Sequence, residues 1–245
     1  MTIEGGKTGT MGTNERPLLI IGASDQGEVV LDILRARAES AVEVLGFLDC
    51  DEAGGYVGQQ VGSLPVLATL GQVAHYRDRI AGAIPAVGSA EVRERIAAEL
   101  ARHSIPMISA VHPTAILASG VEVSAGSVVG AGAILGVGVR VGRAAIVNTG
   151  AIVEHHGRIG DFAHVAPGAR LAGGVRVGER AWVGLGACIL EDRIVGADAE
   201  VGAGAVVTRD VAPGVTVTGV PARPLVRRDR DAELERGTDP ETEMA

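Results

Sequence analysis

Two hydrophobic periods divide the chain, and the change falls near position 111. Up to that point short apolar runs alternate with stretches of helical spacing. PLLIIGAS (17–24) has the length of a buried strand. In QGEVVLDILRARAES (26–40) the residues Val29, Val30, Ile33 and Leu34 recur at helical intervals. VEVLGFLD (42–49) reads as a second strand ending in Asp49, and a loop-rich stretch follows. AIPAVGS (83–89) predicts a strand that leads to an N-cap at Ser89. AEVRERIAAELARHS (90–104) then places Val92, Ile96 and Leu100 on one helix face, and PMISAV (106–111) closes the unit. Strand–helix–strand alternation predicts a parallel sheet with crossover helices, a Rossmann-like α/β domain over 17–110.

From Val111 an aliphatic residue recurs every six positions: Leu117, Val123, Val129 and onward to Val207. The residue after each is commonly glycine (Gly130, Gly142, Gly160, Gly178), and the fourth after each is small (Ala133, Ala145, Ala151, Ala163). A period of six fits neither an α-helix nor a plain alternating strand. It fits a solenoid in which each hexapeptide makes one flat face and one tight corner, with aliphatic side chains stacked inside at the ordinary strand spacing of ~4.8 Å. This predicts a β-helix over 111–225.

Composition agrees with thin, repeated layers: the chain of 245 residues has 36 glycines and only five aromatic residues, Trp182, Tyr56, Tyr76, Phe47 and Phe162. A net charge of −8 argues against nucleic acid or an anionic membrane as partner, since both reward basic patches. No apolar run approaches a membrane span, and the opening residues lack a signal-peptide core, which points to a cytoplasmic protein. Cys50 and Cys188 match no metal or redox spacing and read as free thiols. The polar segment 1–16 and the charged tail 226–245 lack the apolar residues to bury a core and are expected to be disordered.

Against this background VNTGAIVEHHGRIGDFAHVAPGA (147–169) gathers His155, His156 and His164. Val153, Ile159 and Val165 take the inward positions, so the histidines belong to corners or outer faces. Each alone is compatible with an incidental polar surface. One functional alternative is a metal site of the kind γ-class carbonic anhydrases build on β-helices, but adjacent histidines project differently from a strand and the spacing lacks that family's wider spread. No metal is expected.

The hexapeptide pattern resembles the left-handed parallel β-helix acyltransferases. The combination of LLIIGAS, GFLD, IPAVGSAEVRERI, VHPTA, the histidine segment, VGLGACI, VGAGAVVTRDV and VTGVPARPL resembles one subgroup over roughly 17–225. These are the nucleotide-amino-sugar N-acetyltransferases of the bacillosamine and perosamine type, together with sialic-acid O-acetyltransferase-like proteins. The resemblance implies a left-handed hand for the β-helix, His155 as general base and His164 in contact with the acyl donor. It also implies the Gly173 backbone N–H as donor to the thioester oxygen. Acetyl transfer to an amine passes through a tetrahedral intermediate, so an imidazole that titrates near neutrality and a fixed N–H donor suit it. The position after the base is acidic in that family and is His156 here, which leaves Glu154, Asp161 or His156 itself to orient the base. Asn148 matches the family's site asparagine and also suits a turn.

The resemblance further implies acetyl-CoA as co-substrate, lying between neighbouring β-helices near Gly184, Gly202 and Arg223, and hence a homotrimer. The first domain is expected to hold the nucleotide-sugar: Gly22 and Gly27 allow the tight turn, Ser24 and the helix N-terminus favour phosphate, and Asp49 is placed for a ribose or base contact. The loop SDQG departs from the family's SGHG, and the lack of G-x-G-x-x-G makes NAD a poorer fit. Three functions stay open: N-acetylation of a nucleotide-linked amino sugar, O-acetylation of a sugar or sialic acid, and a non-catalytic β-helix scaffold.

Overall fold

In the computed structural model, residues 16–36 and 42–225 are described. The segments expected to be disordered, and the end of the first predicted helix, lie outside them, except for Arg16. β1 (Leu18–Ile21) leads into α1 (Asp25–Arg35), and β2 (Val44–Asp49) follows. β5 (Gly82–Pro85) then precedes α2 (Ala90–Arg102), with the Ser89 hydroxyl accepting the Val92 N–H at 3.3 Å as the expected N-cap. The stretch read as loop-rich contains structure of its own: β3 (Gln60–Val61) and β4 (Leu64–Thr69) form a hairpin, and a 3₁₀ helix spans Leu70–Arg79. Leu64, Val66 and Ala68 alternate as a strand should, but the run is short and carries Pro65, which weakens the pattern. The sheet order is β3-β4-β2-β1-β5, parallel except at the hairpin, with Met107 adding a parallel bridge beside β5.

From Ala110–Val111 to Val206–Val207 a two-residue strand begins every six residues. Three hexapeptides make one coil of a left-handed parallel β-helix, and strands stack into three flat sheets. Face I contains the strands starting at Ala110, Val128, Ile146, His164, Trp182 and Glu200; face II those from Ile116 to Val206; face III those from Glu122 to Ile194. The second residue of each strand points inward, and these residues join the small residues four positions on in one continuous core. Glycine follows many strands because the next coil lies against it. A Cβ on Gly178 would stand 2.4 Å from the Ala197 nitrogen, and one on Gly160 would stand 2.7 Å from the Glu179 nitrogen. Chain is capped by Thr216–Thr218 and the antiparallel strand Arg223–Pro224.

The first domain packs on the lower part of face I. Ala110, Val128 and Ile146 share a core with Leu18, Ile20, Val30, Ile33 and Phe47. Ala144 and Phe162, at the corner between faces III and I, pack with Ala97 of α2.

Because the stacking constraint is steric, Gly178→Ala is expected to cost about 3 kcal/mol, as overpacking against backbone does. Gly150→Ala, where the corner has φ +63° but nothing within 4 Å, should cost about 1 kcal/mol from backbone conformation alone. Urea unfolding of the two variants beside the wild type measures the difference.

Candidate active site

Every corner between faces II and III is made by a two-residue turn, and one of these turns is His155–His156. His155 is exposed, and its ring lies directly over Gly173 of the next coil. A Cβ on Gly173 would stand 2.3 Å from its Cε1 and 2.4 Å from its Nε2. A side chain at 173 would therefore displace the imidazole from this position. The His155 carbonyl accepts the Gly174 N–H at 2.9 Å and the Gly173 carbonyl accepts the Asp192 N–H at 3.0 Å, while the Gly173 N–H enters no backbone hydrogen bond among the described residues. That leaves an exposed imidazole beside an unused backbone donor.

His156 takes the left-handed position of this turn, φ +59°, where the coils on either side have Gly138 and Gly174. Its Nδ1 lies 3.0 Å from where a Gly138 Cβ would be, so its ring occupies that glycine's open space. The two imidazoles meet edge to face, centroids 5.5 Å apart at 78°. Glu154 is exposed on face II just before the corner. Asp161 belongs to a different corner, between faces III and I, where its carboxylate accepts the Arg143 backbone N–H at 2.8 Å. Within one chain it therefore stands at a different corner from His155. His156 is thus the side chain that packs against the His155 ring.

His164 lies on face I, across the prism from that corner. It is 5 % exposed, with the Trp182 ring over it at 4.2 Å. Asn148 joins it there. The Asn148 Oδ1 accepts the Thr149 N–H at 2.8 Å, which fixes the amide, and Nδ2 then donates to His164 Nε2 at 3.3 Å. Asn148 thus supports its turn and contacts His164 at the same time. With Nε2 accepting, the proton sits on Nδ1, which is buried without a full hydrogen bond; the Gly88 carbonyl faces the imidazole but does not reach bonding geometry at Nδ1. Burial pulls the His164 pKa down to about 4, the Arg93 charge adds to that, and the Gly88 carbonyl opposes it.

Arg93, which the sequence reading passed over, is fully buried and donates to the carbonyls of Ala144, Val87, Gly88, Phe162 and Ala163. It shares a helical stripe with Ala97 and Leu100, and that spacing was the available signal.

The first domain holds a separate cavity of about 590 Å³ lined by Gly22, Ser24, Asp49, Tyr56, Val87 and Arg95, among others. Gly22 has φ +126° and a Cβ there would meet the Ala86 carbonyl at 2.5 Å; one on Gly27 would meet the Gly22 carbonyl at 2.1 Å. Both glycines therefore serve the tight turn at the start of α1. Asp49 lines the cavity, but its carboxylate already accepts the Asp51 N–H at 2.9 Å and the Tyr56 N–H at 3.0 Å. Its first role is to shape the loop that walls the cavity. Asp25 lines a different groove with Glu28 and Asp32, beside His112 and Thr149, so the SDQG loop keeps its carboxylate out of the cavity. Cys50 adjoins the cavity as a neutral thiol: burial raises its pKa to about 12, with Asp49 contributing.

Gly184 and Gly202 follow face I strands. Coil stacking accounts for them: a Cβ on Gly184 would stand 2.7 Å from the Ala203 nitrogen, and one on Gly202 would stand 3.0 Å from the Thr218 hydroxyl. Arg223 is exposed on the capping strand and donates to the Ala222 carbonyl. Cys188, a free thiol as expected, points outward on face II, because Ile189 takes the inward position. The site residues thus form three groups: His155, His156 and Gly173 at one corner, Asn148 and His164 on face I, and the cavity of the first domain. No helix among the described residues is long and apolar enough to cross a membrane, and no cluster of His, Cys, Asp or Glu among them could hold a metal ion.

The buried neutral His164 has a consequence for acid stability. Its folded pKa lies below the unfolded value near 6.5, so the unfolded chain binds the extra proton first. The stabilisation is full above about pH 6.5 and is lost as pH falls towards 4, by about 3 kcal/mol at most. Histidine NMR is expected to show one imidazole that stays neutral down to about pH 5, absent in His164→Asn; a His164 titrating above pH 6 would contradict the burial.

Residues 17–100 match the family described as the PglD N-terminal domain. Among solved structures, the chain is similar to PerB from Caulobacter crescentus in complex with CoA and GDP-perosamine: 34% identity, 86% of this chain and 97% of that one covered, TM-score 0.79. It is similar also to the acetyltransferase domain of PglB from Neisseria gonorrhoeae in complex with acetyl coenzyme A (32% identity, 86% and 100% covered, TM-score 0.78). WeeI from Acinetobacter baumannii follows at 28% identity, with 85% and 99% covered and a TM-score of 0.75. A comparison with curated protein sequences finds no match. A Rossmann-like domain docked on a β-helix, an exposed histidine stacked on a glycine at one corner, and likeness to these enzymes over nearly their whole length all agree: the chain belongs to the hexapeptide-repeat sugar N-acetyltransferases.

Proposed function

We propose that the protein transfers the acetyl group of acetyl-CoA to the amino group of a nucleotide-linked amino sugar, with a 4-amino-4,6-dideoxy hexose as the preferred class. The observation that carries this reading is the exposed His155 imidazole seated over Gly173, with an unused N–H beside it. Likeness to PerB, whose structure holds CoA and GDP-perosamine, supports the substrate class.

His155 takes a proton from the neutral sugar amine as it adds to the thioester carbon. A C–N bond forms, and the negative charge that develops on the carbonyl oxygen is met by the Gly173 N–H. The intermediate collapses by breaking the C–S bond, and the departing sulfur takes the proton from the His155 imidazolium. No enzyme nucleophile is needed, which agrees with the neutral, protonated Cys50 and with Cys188 on an outer face. The nucleotide fits the cavity of the first domain, where the Gly22 turn and the first turn of α1 leave room for phosphates.

His155 and His164 lie on opposite sides of one prism, so a site that uses both draws them from two chains. A homotrimer of parallel prisms would do this, with acetyl-CoA between neighbours. Ile116 (60 % exposed), Leu185 and Leu190 give the outer surface apolar positions that such packing would cover. Trp182 covers His164, so a donor approaching His164 meets the indole first. Acetyl-CoA as co-substrate accords with a cytoplasmic setting.

The test is thiol release from acetyl-CoA with GDP-, UDP- and dTDP-linked 4-amino sugars, with mass analysis of the product. His155→Ala is expected to lower kcat by about 10²–10⁴. Gly173→Ala, whose new Cβ lies inside the imidazole, is expected to lose a similar factor while the fold persists. Turnover of hydroxyl sugars alone would replace N- by O-acetylation, and absence of CoA binding would leave a scaffold.

A further inference from the structure

Arg93 heads the largest fully buried side chains among the described residues, and none of their carboxylates pairs with it. Burial pulls its pKa down to about 10, so it remains a cation at neutral pH. Burying such a charge costs several kcal/mol, and an apolar side chain could dock two domains without that cost. What an apolar side chain could not do is satisfy carbonyls. A guanidinium has five N–H donors in a rigid fork, and here all five are used. Nε donates to Ala144, one terminal nitrogen to Val87 and Gly88, and the other to Phe162 and Ala163.

These acceptors belong to two places. Val87 and Gly88 form the turn after β5, and Val87 is part of the cavity wall; so is Val92, the residue just before Arg93 on α2. Phe162 and Ala163 immediately precede His164, and Ala144 is the corresponding corner residue one coil below Phe162. The Gly88 carbonyl lies between the two, facing the His164 imidazole while accepting from Arg93. Because the fork is planar, a displacement of the Val87–Gly88 turn tilts the whole guanidinium, and the Phe162 and Ala163 carbonyls feel it directly.

We infer that Arg93 is a positioning residue that makes the two substrate sites interdependent. Nucleotide in the cavity sets the Val87–Gly88 turn, and the guanidinium passes that setting to the segment carrying His164, where the acyl donor binds. The inference rests on the proposed acetyltransferase function. It concerns communication between the sites of the two substrates, and no residue in it touches reacting atoms.

The test is calorimetry on the full chain. CoA affinity is measured alone and with saturating GDP, UDP or dTDP, whichever binds, and the nucleotide's affinity is measured with and without CoA. The two factors must agree, and for the wild type a change of about fivefold or more is expected, the lower end of ordinary coupling. Arg93→Lys keeps the charge but has too few donors for five carbonyls. It is expected to bind each ligand alone and to bring the factor within twofold of one; in turnover, the effect should appear as a lost dependence of the acetyl-CoA KM on sugar concentration.

A wild-type factor within twofold of one overturns the inference, as does an Arg93→Lys protein that keeps the wild-type factor. Should the variant not fold, the Arg93 Nε–H resonance of the wild type decides: nucleotide binding is expected to shift it, and an unmoved resonance overturns the inference. If both ligands bind independently, only this inference fails. If neither binds, the acetyltransferase reading fails first.

Discussion

Stacking in register at the strand spacing is the constraint on which the β-helix depends. Each coil lies directly on the one below, so every position of the hexapeptide inherits a steric rule from its neighbours above and below. Inward positions must be aliphatic or small to fill the prism, and positions after a strand must be glycine or small where the next coil's backbone presses close. Corners are the places where this rule relaxes. At the corners between faces II and III the side chain points to solvent and the turn's first N–H is released from the ladder, so a functional group can be added without disturbing the core. His155 uses one such corner, and Gly173 on the next coil is the space its ring requires.

The same geometry limits what a single chain can assemble. A triangular prism separates the corner with His155 from the face with His164, and no local rearrangement brings them together. Face I is also where the first domain docks, through Ala110, Val128 and Ile146 and through the carbonyl fork of Arg93. His164 is neutral because that docking removes it from water and sets a cation nearby. Its protonation state is therefore a property of the interface between domains, whereas the environment of His155 is a property of the coil. The cavity of the first domain, Arg93 and His164 lie along one line of contact, and His155 lies off it.

Polar groups in the first domain show how position and role can part. Asp49 ends β2 where a ligand-binding carboxylate commonly sits, yet both its oxygens accept loop N–H groups. Asp25, beside the tight turn that precedes α1, lines a separate groove with Glu28 and Asp32. Helical geometry separates residues that are adjacent in the chain, and a short carboxylate near free backbone donors is captured by them first.

By itself the sequence determined the β-helix, its register and the placement of the three histidines off the inward row, while the seating of His155 over Gly173 came from the structure. Contacts between coils repeat with the period, so reading the period is reading the contacts. It determined as well the alternation of β1, α1, β2, β5 and α2, whose apolar residues follow helix and strand spacing. It did not reveal the β3–β4 hairpin, where a short run with a proline carries too little pattern. Only the tertiary structure decided that Arg93 is buried on five carbonyls, that His164 is neutral, that Gly184 and Gly202 answer to coil stacking, and that Asp161 belongs to another corner. Bonds from Arg93 reach residues 51 to 70 positions away, across a domain boundary where no period relates the partners. Such contacts follow from how two finished surfaces fit, which no local pattern encodes.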